Sequence, residues 1–416
     1  MERCILHCDF NSYYASVETL YNPSLKDKPM AVIGDPEARH GIVLAKNDLA
    51  KKTGVQTGDV IWQAKQKCPD IVFTPANFDR YLKYSGLARE IYLGYTDKVE
   101  PFGLDECWLD MTRYVSHYGT GKDVADCLRN RMKDELGLTI SVGASFNKVF
   151  AKLGSDMKKP DATTVITSRD YRDLVWRLPA SDLLYVGPAT AKKLTRYGIL
   201  TIGDLANANV SFLLSILGKN GVMLRNFANG NDESQVSPYT YTPPIKSIGN
   251  SITAPKDLVT DDDVKIVLLS LCESVAARLR EQHCTCKTIQ LTMRDNDLFS
   301  FDRQGSLSPT DSTYDIFQFA FNLFERYHTP GKPIRSLAVA LRGLSPTPSF
   351  VQMSLFEEDI KAIKHRNMDS VIDKLRSKYG YASIRRGVAL LDERLDTDIK
   401  SSNIVHPVGF LGTLNY

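Results

Sequence analysis

The 416-residue chain has no apolar run near the ~20 residues that a membrane helix needs, so no spanning segment is expected. Its opening, MERCILHCDF, carries an apolar core far too short for a signal peptide. Its eight cysteines are scattered and include no CxxC pair, which argues against a structural zinc site. Free thiols in a reducing cytoplasm are the simplest reading, even for Cys284 and Cys286, which would share one strand face. A dominant charge is also missing. Lys+Arg 52 against Asp+Glu 49 leaves +3, which excludes a histone-like or tail-driven nucleic-acid binder but not a local basic groove. Internal repeats and low-complexity segments are absent. What remains is ordinary globular composition, 43% apolar and 24% charged. At roughly 100–200 residues per domain, the length suggests two to four domains.

The first half alternates strands and helices. Cys4–Cys8 is a short apolar run followed at once by Asp9-Phe10-Asn11, and Ser12–Leu20 starts a helix that Asn22-Pro23 ends. Pro29–Ile33, Gly41–Ala45, Thr139–Gly143 and Thr163–Ile166 read as strands, and Asn47–Thr53 and Asn147–Met157 as helices. Residues 169–236 are mostly helical with glycine punctuation. A proline-containing link, Pro238–Pro244, leads to an α+β unit that opens on the alternating stretch Ile245–Thr253. There Val264, Val267, Leu268, Leu271 and Val275 recur at helical spacing after Asp261, and strands are expected over Thr288–Arg294 and Leu337–Arg342. The tail after Ser345-Pro-Thr-Pro348 holds one helical stretch, Asp369–Tyr379.

Asp-Glu occurs four times, at 105–106, 134–135, 232–233 and 392–393. Asp134-Glu135 lies in a charged helical run and Asp232-Glu233 in a polar turn; Asp392-Glu393 follows the apolar run Val388–Leu391, and its local pattern leaves it open. Asp105-Glu106 differs, because it sits between apolar neighbours in a strand–turn–strand pattern, Val99 to Met111. Burying two charges there costs several kcal/mol unless something compensates them, and a divalent cation is the natural compensator. Adjacent strand residues face opposite ways, so both carboxyls reach one ion only through a bend, which Gly103 permits. Asp9 would supply a third carboxylate if its strand is a neighbour. Three carboxylates without histidine suit two Mg²⁺ ions roughly 3.5–4 Å apart. By contrast, Asp261-Asp262-Asp263 follows Thr260 at the start of a helix and reads as a cap and first turn.

Four stretches in order, Cys8–Glu18, Leu104–Asp110, Ser141–Lys152 and Asp156–Pro160, resemble the Y-family translesion DNA polymerases. The likeness runs with gaps to about residue 360, and the tail makes it look closer to the polymerase V catalytic-subunit branch than to the shorter polymerase IV branch. The resemblance implies an α/β and α+β multidomain, right-hand polymerase. Its parts would be a ferredoxin-like palm (1–11 and 78–168), small fingers (12–77), a helical thumb (169–236), a linker (237–246), an α+β little finger (247–345) and a tail (346–416).

Carried over by motif, Asp9, Asp105 and Glu106 are the catalytic carboxylates and metal ligands, with the Phe10 carbonyl a further ligand. Tyr14 falls on the steric gate against ribonucleotides; a planar ring under the sugar would crowd a 2′-hydroxyl. By local pattern alone, Tyr13 or Tyr14 would be a core aromatic. Lys159 falls on the lysine that reaches the triphosphate, where an isolated lysine would ordinarily be a solvated one. The stretch Ala45–Lys52 departs from the family: Asp48 and Lys51 stand where many relatives carry Tyr and Arg. Lys51 still offers a point charge to a phosphate, whereas Asp48 would repel one.

Val186-Gly187-Pro188 with Thr190–Leu194 and Gly198–Leu205 resembles a helix–hairpin–helix, although Tyr185 replaces the first of its usual glycines. A plain helical-hairpin core is the alternative. The resemblance implies DNA contacts at Gly187, Thr190, Lys246 and Ser247. Gln352-Met-Ser-Leu355-Phe356 resembles the peptide by which bacterial polymerases hold the sliding clamp. The expected activity is low-fidelity, lesion-bypassing synthesis on primed template DNA from deoxynucleoside triphosphates, by a cytoplasmic monomer. The tail is too short for a proofreading nuclease. A nucleotide cyclase-like transferase on a similar palm and an inactive DNA- and clamp-binding scaffold are the alternatives.

Overall fold

The structure, a computed structural model, describes residues 2–35, 41–347 and 357–396, with backbone alone over 357–363. They fall mainly into two compact units, one formed by the chain up to Thr242 and the other from Pro243. The expected peptide Gln352–Phe356 lies outside the described residues. Among those described, no helix is long and apolar enough to cross a membrane.

The first unit contains β1 (Ile5–Phe10), β2 (Met30–Ile33), β3 (Val43–Lys46), β4 (Val72–Pro75), β5 (Val99–Pro101), β6 (Glu106–Asp110), β7 (Ile140–Ser145) and β8 (Thr163–Ile166). Five of them form one sheet in the order β5-β6-β1-β7-β8, and three form a smaller sheet, β3-β2-β4. The wholly buried β1 is the middle strand of the larger sheet, antiparallel to both neighbours. Alternation divides its side chains. Leu6, Cys8 and Phe10 enter the core with Tyr81 and Tyr92 of the helix Phe78–Leu93 and Leu128 and Met132 of the helix Gly121–Leu136. Ile5 packs instead with Trp108 and Ala151, and His7 meets Ser155; Ala151 and Ser155 belong to the helix Lys148–Met157. Both faces of β1 are therefore covered, which is why its sequence is a nearly unbroken apolar run rather than an alternation.

That last helix lies unusually close to the sheet. A Cβ on Gly143 of β7 would collide with the backbone of Ala151 and Ser155, and one on Gly154 would come within 3.2 Å of Gly143 Cα. Asn147 caps the helix through the Phe150 N–H at 2.8 Å. The next core, carrying Val149, Phe150 and Leu153, extends into the helical segment with Leu194, Ile202, Leu205 and Leu224.

The second unit contains β9 (Ser247–Leu258), β10 (Cys284–Asp295), β11 (Ser300–Thr310), β12 (Ile334–Arg342) and the short β13 (Ser345–Pro346). Its antiparallel sheet runs β11-β10-β12-β9, and the helices Asp261–Glu281 and Thr313–Tyr327 supply the rest of its core. Thr260 and Asp263 form the expected cap of the first helix. The chain then returns through the helix Glu357–Tyr379, which starts well before the expected Asp369. Buried Asp369 accepts the Thr313 N–H at 2.8 Å, Arg376 and Arg386 both pair with Glu273, and Leu395 enters the core. Asp392 pairs with Lys256 at 2.9 Å and with Arg394 at 2.9 Å, so the acidic pair left open by its sequence is a structural one.

The expected strands and helices occur with shifted ends. Several elements were not expected, β4 and the helix Ile61–Lys67 among them. The helices Phe78–Leu93 and Thr313–Tyr327 mix polar residues with their apolar stripe, and β11 is an exposed edge strand whose alternation carries no signal. Gly143→Ala must push the helix Lys148–Met157 off the sheet; urea unfolding should show a loss on the order of 3 kcal/mol. Wild-type stability in that variant would mean that the close approach is not needed.

Candidate active site

Asp9 stands near the end of β1, and its register partner on β6 is Glu106. Register partners share a face, so the strand pairing alone brings these two carboxylates together. Asp105 lies in the turn just before β6, where Gly103 takes φ +88. Phe10 N–H donates to the Asp105 carbonyl at 3.1 Å and Phe102 N–H to the Glu106 carbonyl at 2.8 Å, which pins the expected bend. His7, Asp9 and Glu106 each present a ligand-capable atom within 4.8 Å of the others. Asp105 lines the same cleft without joining that close group.

The acid cluster is met by two lysines. Lys152 Nζ lies 3.1 Å from Asp9 Oδ2, 2.8 Å from Glu106 Oε2 and 3.2 Å from Asp156 Oδ2. Lys159 Nζ lies 2.9 Å from both Asp9 Oδ2 and Asp156 Oδ1. Burial acts to raise the Glu106 carboxyl, but His7 and Lys152 outweigh it and bring it down to about 2. Asp105 goes the other way: burial first, then the charges of Asp9 and Glu106, push it up to about 7. Burial opposes the charge on Lys152, but the three carboxylates around it raise its pKa above the usual lysine range.

His7 is fully buried behind Glu106. The Ser155 hydroxyl donates to the Lys152 carbonyl at 2.8 Å, so the Nδ1–H of His7 is the donor to Ser155 Oγ at 2.9 Å. Burial lowers the His7 pKa, against the pull of Glu106 and Asp9, which act to raise it. The ring Nε2 faces Glu106 Oε2 at 3.1 Å, and neither atom has an aligned hydrogen-bond partner. Lys152 Nζ, 2.8 Å from the same Oε2, supplies the positive charge there. An all-oxygen set of Asp9, Asp105 and Glu106 would suit a hard divalent cation. Sequence reading missed His7 and Lys152. The signal was present: His7 is two residues before Asp9 on one strand face, and Lys152 is one helical turn before Asp156.

The cleft, about 340 Å³, is also lined by Lys51, Asp48 and Tyr13. Asp48 occupies the first turn of the helix Asp48–Lys52, next to the capping Asn47, where a negative charge complements the N-terminus. Tyr14 is half-buried beside the cleft and stacked on Tyr81, ring centroids 4.1 Å apart and planes 8° apart. Tyr81 is anchored in turn: its hydroxyl donates to Glu18 Oε1 at 2.8 Å and accepts the Asn77 N–H at 3.2 Å, while Tyr13 donates to its carbonyl at 2.6 Å. Burial, then the charge of Asp105, pushes the Tyr14 phenol up to about 12, so it stays neutral.

At the expected hairpin, Tyr185 takes φ +70, the left-handed conformation that glycine adopts without cost. Val186, Leu194, Ile199 and Ile202 are buried in the helical core, while Tyr185 and Gly187 are exposed and Thr190 is half-buried. Gly187 caps the helix Pro188–Arg196 with space around its would-be Cβ. Lys246 and Ser247, where β9 begins, are exposed in the second unit.

Comparison with known proteins adds sequence and fold evidence. The model of the impB/mucB/samB family matches residues 8–156, and that of its C-terminal domain matches residues 245–355. The chain is 50% identical, over 95% of its length, to the whole of a DNA polymerase IV from Acetivibrio thermocellus. It is 35% identical over 94% of its length to the whole of a DNA polymerase IV from Clostridium acetobutylicum. With DNA polymerase IV 1 of Bacillus subtilis it shares 37% identity over 96% of both chains. A solved Y-family DNA polymerase chimera of Dbh and Dpo4 has the same fold, with TM-score 0.72 over 82% of this chain and 99% of the other, at 24% identity. These names correct the expected placement near the polymerase V branch. The tail suggested that placement, but the alignments take in nearly the whole chain and whole relatives called polymerase IV, so tail length does not separate the branches.

Proposed function

The chain belongs to the impB/mucB/samB family of Y-family DNA polymerases and is a translesion DNA polymerase, and we propose that Asp9, Asp105 and Glu106 are the ligands on which its chemistry depends. The supporting observation is the register pairing of Asp9 with Glu106, beside the bend at Asp105 and facing Lys152 and Lys159. The family uses divalent metal; two Mg²⁺ ions, with the Phe10 carbonyl as a further ligand, are our specific assignment. Bound there, the ions would supply Lewis acidity to the primer hydroxyl and the reacting phosphates.

The protein's own groups do the rest. Lys159 holds the triphosphate after leaving Asp9 and Asp156, and Lys51 meets it from the other wall as a point charge. Tyr14, held flat by Tyr81, lies under the sugar and excludes a 2′-hydroxyl. Gly187 and Thr190 approach a DNA phosphate without reading bases, and Lys246 and Ser247 contact the duplex from the second unit. Residues 1–11 and 78–168 act as the palm, 12–77 as fingers, 169–236 as thumb, 237–246 as linker and 247–345 as little finger. The small fingers make few contacts with the nascent pair, so a damaged template base is tolerated without proofreading. We assign the enzyme to the cytoplasm as a monomer. The C-terminal family match argues against a cyclase-like transferase, which needs no such domain, and the retained acid–lysine cluster argues against an inactive scaffold.

Asp105→Ala and Glu106→Ala should each slow single-nucleotide incorporation by at least roughly 10²–10³-fold, while fluorescence anisotropy shows primed-DNA binding retained. Extension at a near wild-type rate in either variant would remove the ligand assignment. Tyr14→Ala should raise ribonucleotide relative to deoxynucleotide incorporation; an unchanged ratio in single-turnover kinetics would return Tyr14 to the aromatic packing around Tyr81.

Gln352–Phe356 is proposed as a clamp anchor, with Gln352 a polar hook and Leu355 and Phe356 filling an apolar groove. Tethering would raise avidity by roughly 10²–10⁴ without new catalytic contacts. The double change Leu355→Ala, Phe356→Ala should leave clamp-free extension untouched and abolish stimulation by a loaded bacterial clamp. Equal stimulation of both proteins would end that assignment.

A further inference from the structure

Among the described residues, Lys152 is the one lysine or arginine whose charged group reaches both Asp9 and Glu106. Lys159 touches Asp9 but reaches Asp156 instead of Glu106, and the His7 ring reaches Glu106 from behind the strand. The Lys152 side chain is only 14% exposed, so its ammonium is a fixed charge rather than a passing surface contact. Its backbone is fixed as well. The helix Lys148–Met157 rests on the sheet through Gly143 and Gly154, and the Lys152 carbonyl accepts the Ser155 hydroxyl that also receives the His7 ring. The ammonium is thus delivered to the acid pair from a rigid element, within 3.2 Å of three carboxylates.

We propose that Lys152 is a resident counter-ion of the metal site. In the metal-free protein its ammonium neutralises Asp9 and Glu106 and holds the ligand set closed; a divalent cation must compete with that charge to bind. This rests on the reading of Asp9, Asp105 and Glu106 as metal ligands, and goes beyond it by assigning Lys152 to the control of affinity. One consequence is chemical: added negative charge lets an ammonium and a divalent ion coexist. A nucleoside triphosphate brings that charge, so the site fills best when the substrate arrives.

The test uses the full chain without DNA or nucleotide. Free Mn²⁺ is measured by electron paramagnetic resonance, and thermal unfolding is followed in chelator and in Mn²⁺. Lys152→Met should melt several degrees lower in chelator, bind Mn²⁺ more tightly by on the order of tenfold, and gain more from Mn²⁺ than wild type does. Lys152→Arg keeps the charge and should stay close to wild type in both measurements. A Lys152→Met protein that folds only with Mn²⁺ supports the proposal. Unchanged or weaker Mn²⁺ affinity in Lys152→Met overturns it, as do equal effects of Met and Arg or unfolding of the Met variant with and without Mn²⁺. If wild type binds Mn²⁺ no better than Asp105→Ala, the ligand assignment itself falls and this inference falls with it.

Discussion

Asp9 and Glu106 meet across two neighbouring strands, with Asp105 at the bend beside them, next to a buried core, and every other feature of the site answers the cost of placing them there. Removing an ionised carboxylate from water costs several kcal/mol unless a partner compensates it. Here the compensation is divided unevenly. Lys152 and Lys159 meet Asp9, and Lys152 with His7 meets Glu106, whereas burial and its two acidic neighbours push Asp105 up to about 7. This imbalance, with the unaligned pair His7 Nε2 and Glu106 Oε2, is where the site is open to a cation.

The sheet makes that arrangement possible because β1 is buried on both faces yet carries a charged residue, Asp9, one position from its end. Its register with β6 sets Asp9 against Glu106, and its register with β7 sets His7 against Gly143. Without a side chain at Gly143, the helix Lys148–Met157 can approach closely enough to bring Lys152 and Ser155 to the same acids. A glycine on β7 thereby lets a helix bring charge to acids on β1 and β6. Close packing, more than the intrinsic preference of any lysine, decides where that ammonium sits.

Two departures from the family pattern have physical accounts. Tyr185 adopts the left-handed backbone that a glycine would take more easily, so the hairpin keeps its course while bearing an exposed ring. Asp48 complements the first turn of its short helix even though it lines the cleft we propose for the triphosphate. The segment 364–396, read from sequence as part of a tail, is integral to the second unit. Buried Asp369, Glu273 and Leu395 tie it to the helices Asp261–Glu281 and Thr313–Tyr327.

Much of the fold and the acidic triad was legible locally. An apolar run ending in Asp9, an acidic pair among apolar neighbours at Asp105-Glu106, and Gly103 before them announce strands, a bend and a charge that needs compensation. Thr260 before three aspartates likewise announces a helix cap. These patterns are local because strand alternation, turn chemistry and capping act over a few residues. The partners of the acids were not legible in the same way. Lys152 is one of several lysines in its stretch, and His7 is one buried residue in an apolar strand. Their meeting with Glu106 depends on register across β1, β6 and β7 and on a helix resting on Gly143. Nor could an exposed, polar edge strand such as β11 reveal itself by a buried face. Sequence alone determined which residues carry charge and where the chain must bend. Tertiary structure decided which charges face one another, because Coulomb interactions depend on distance through space and not along the chain.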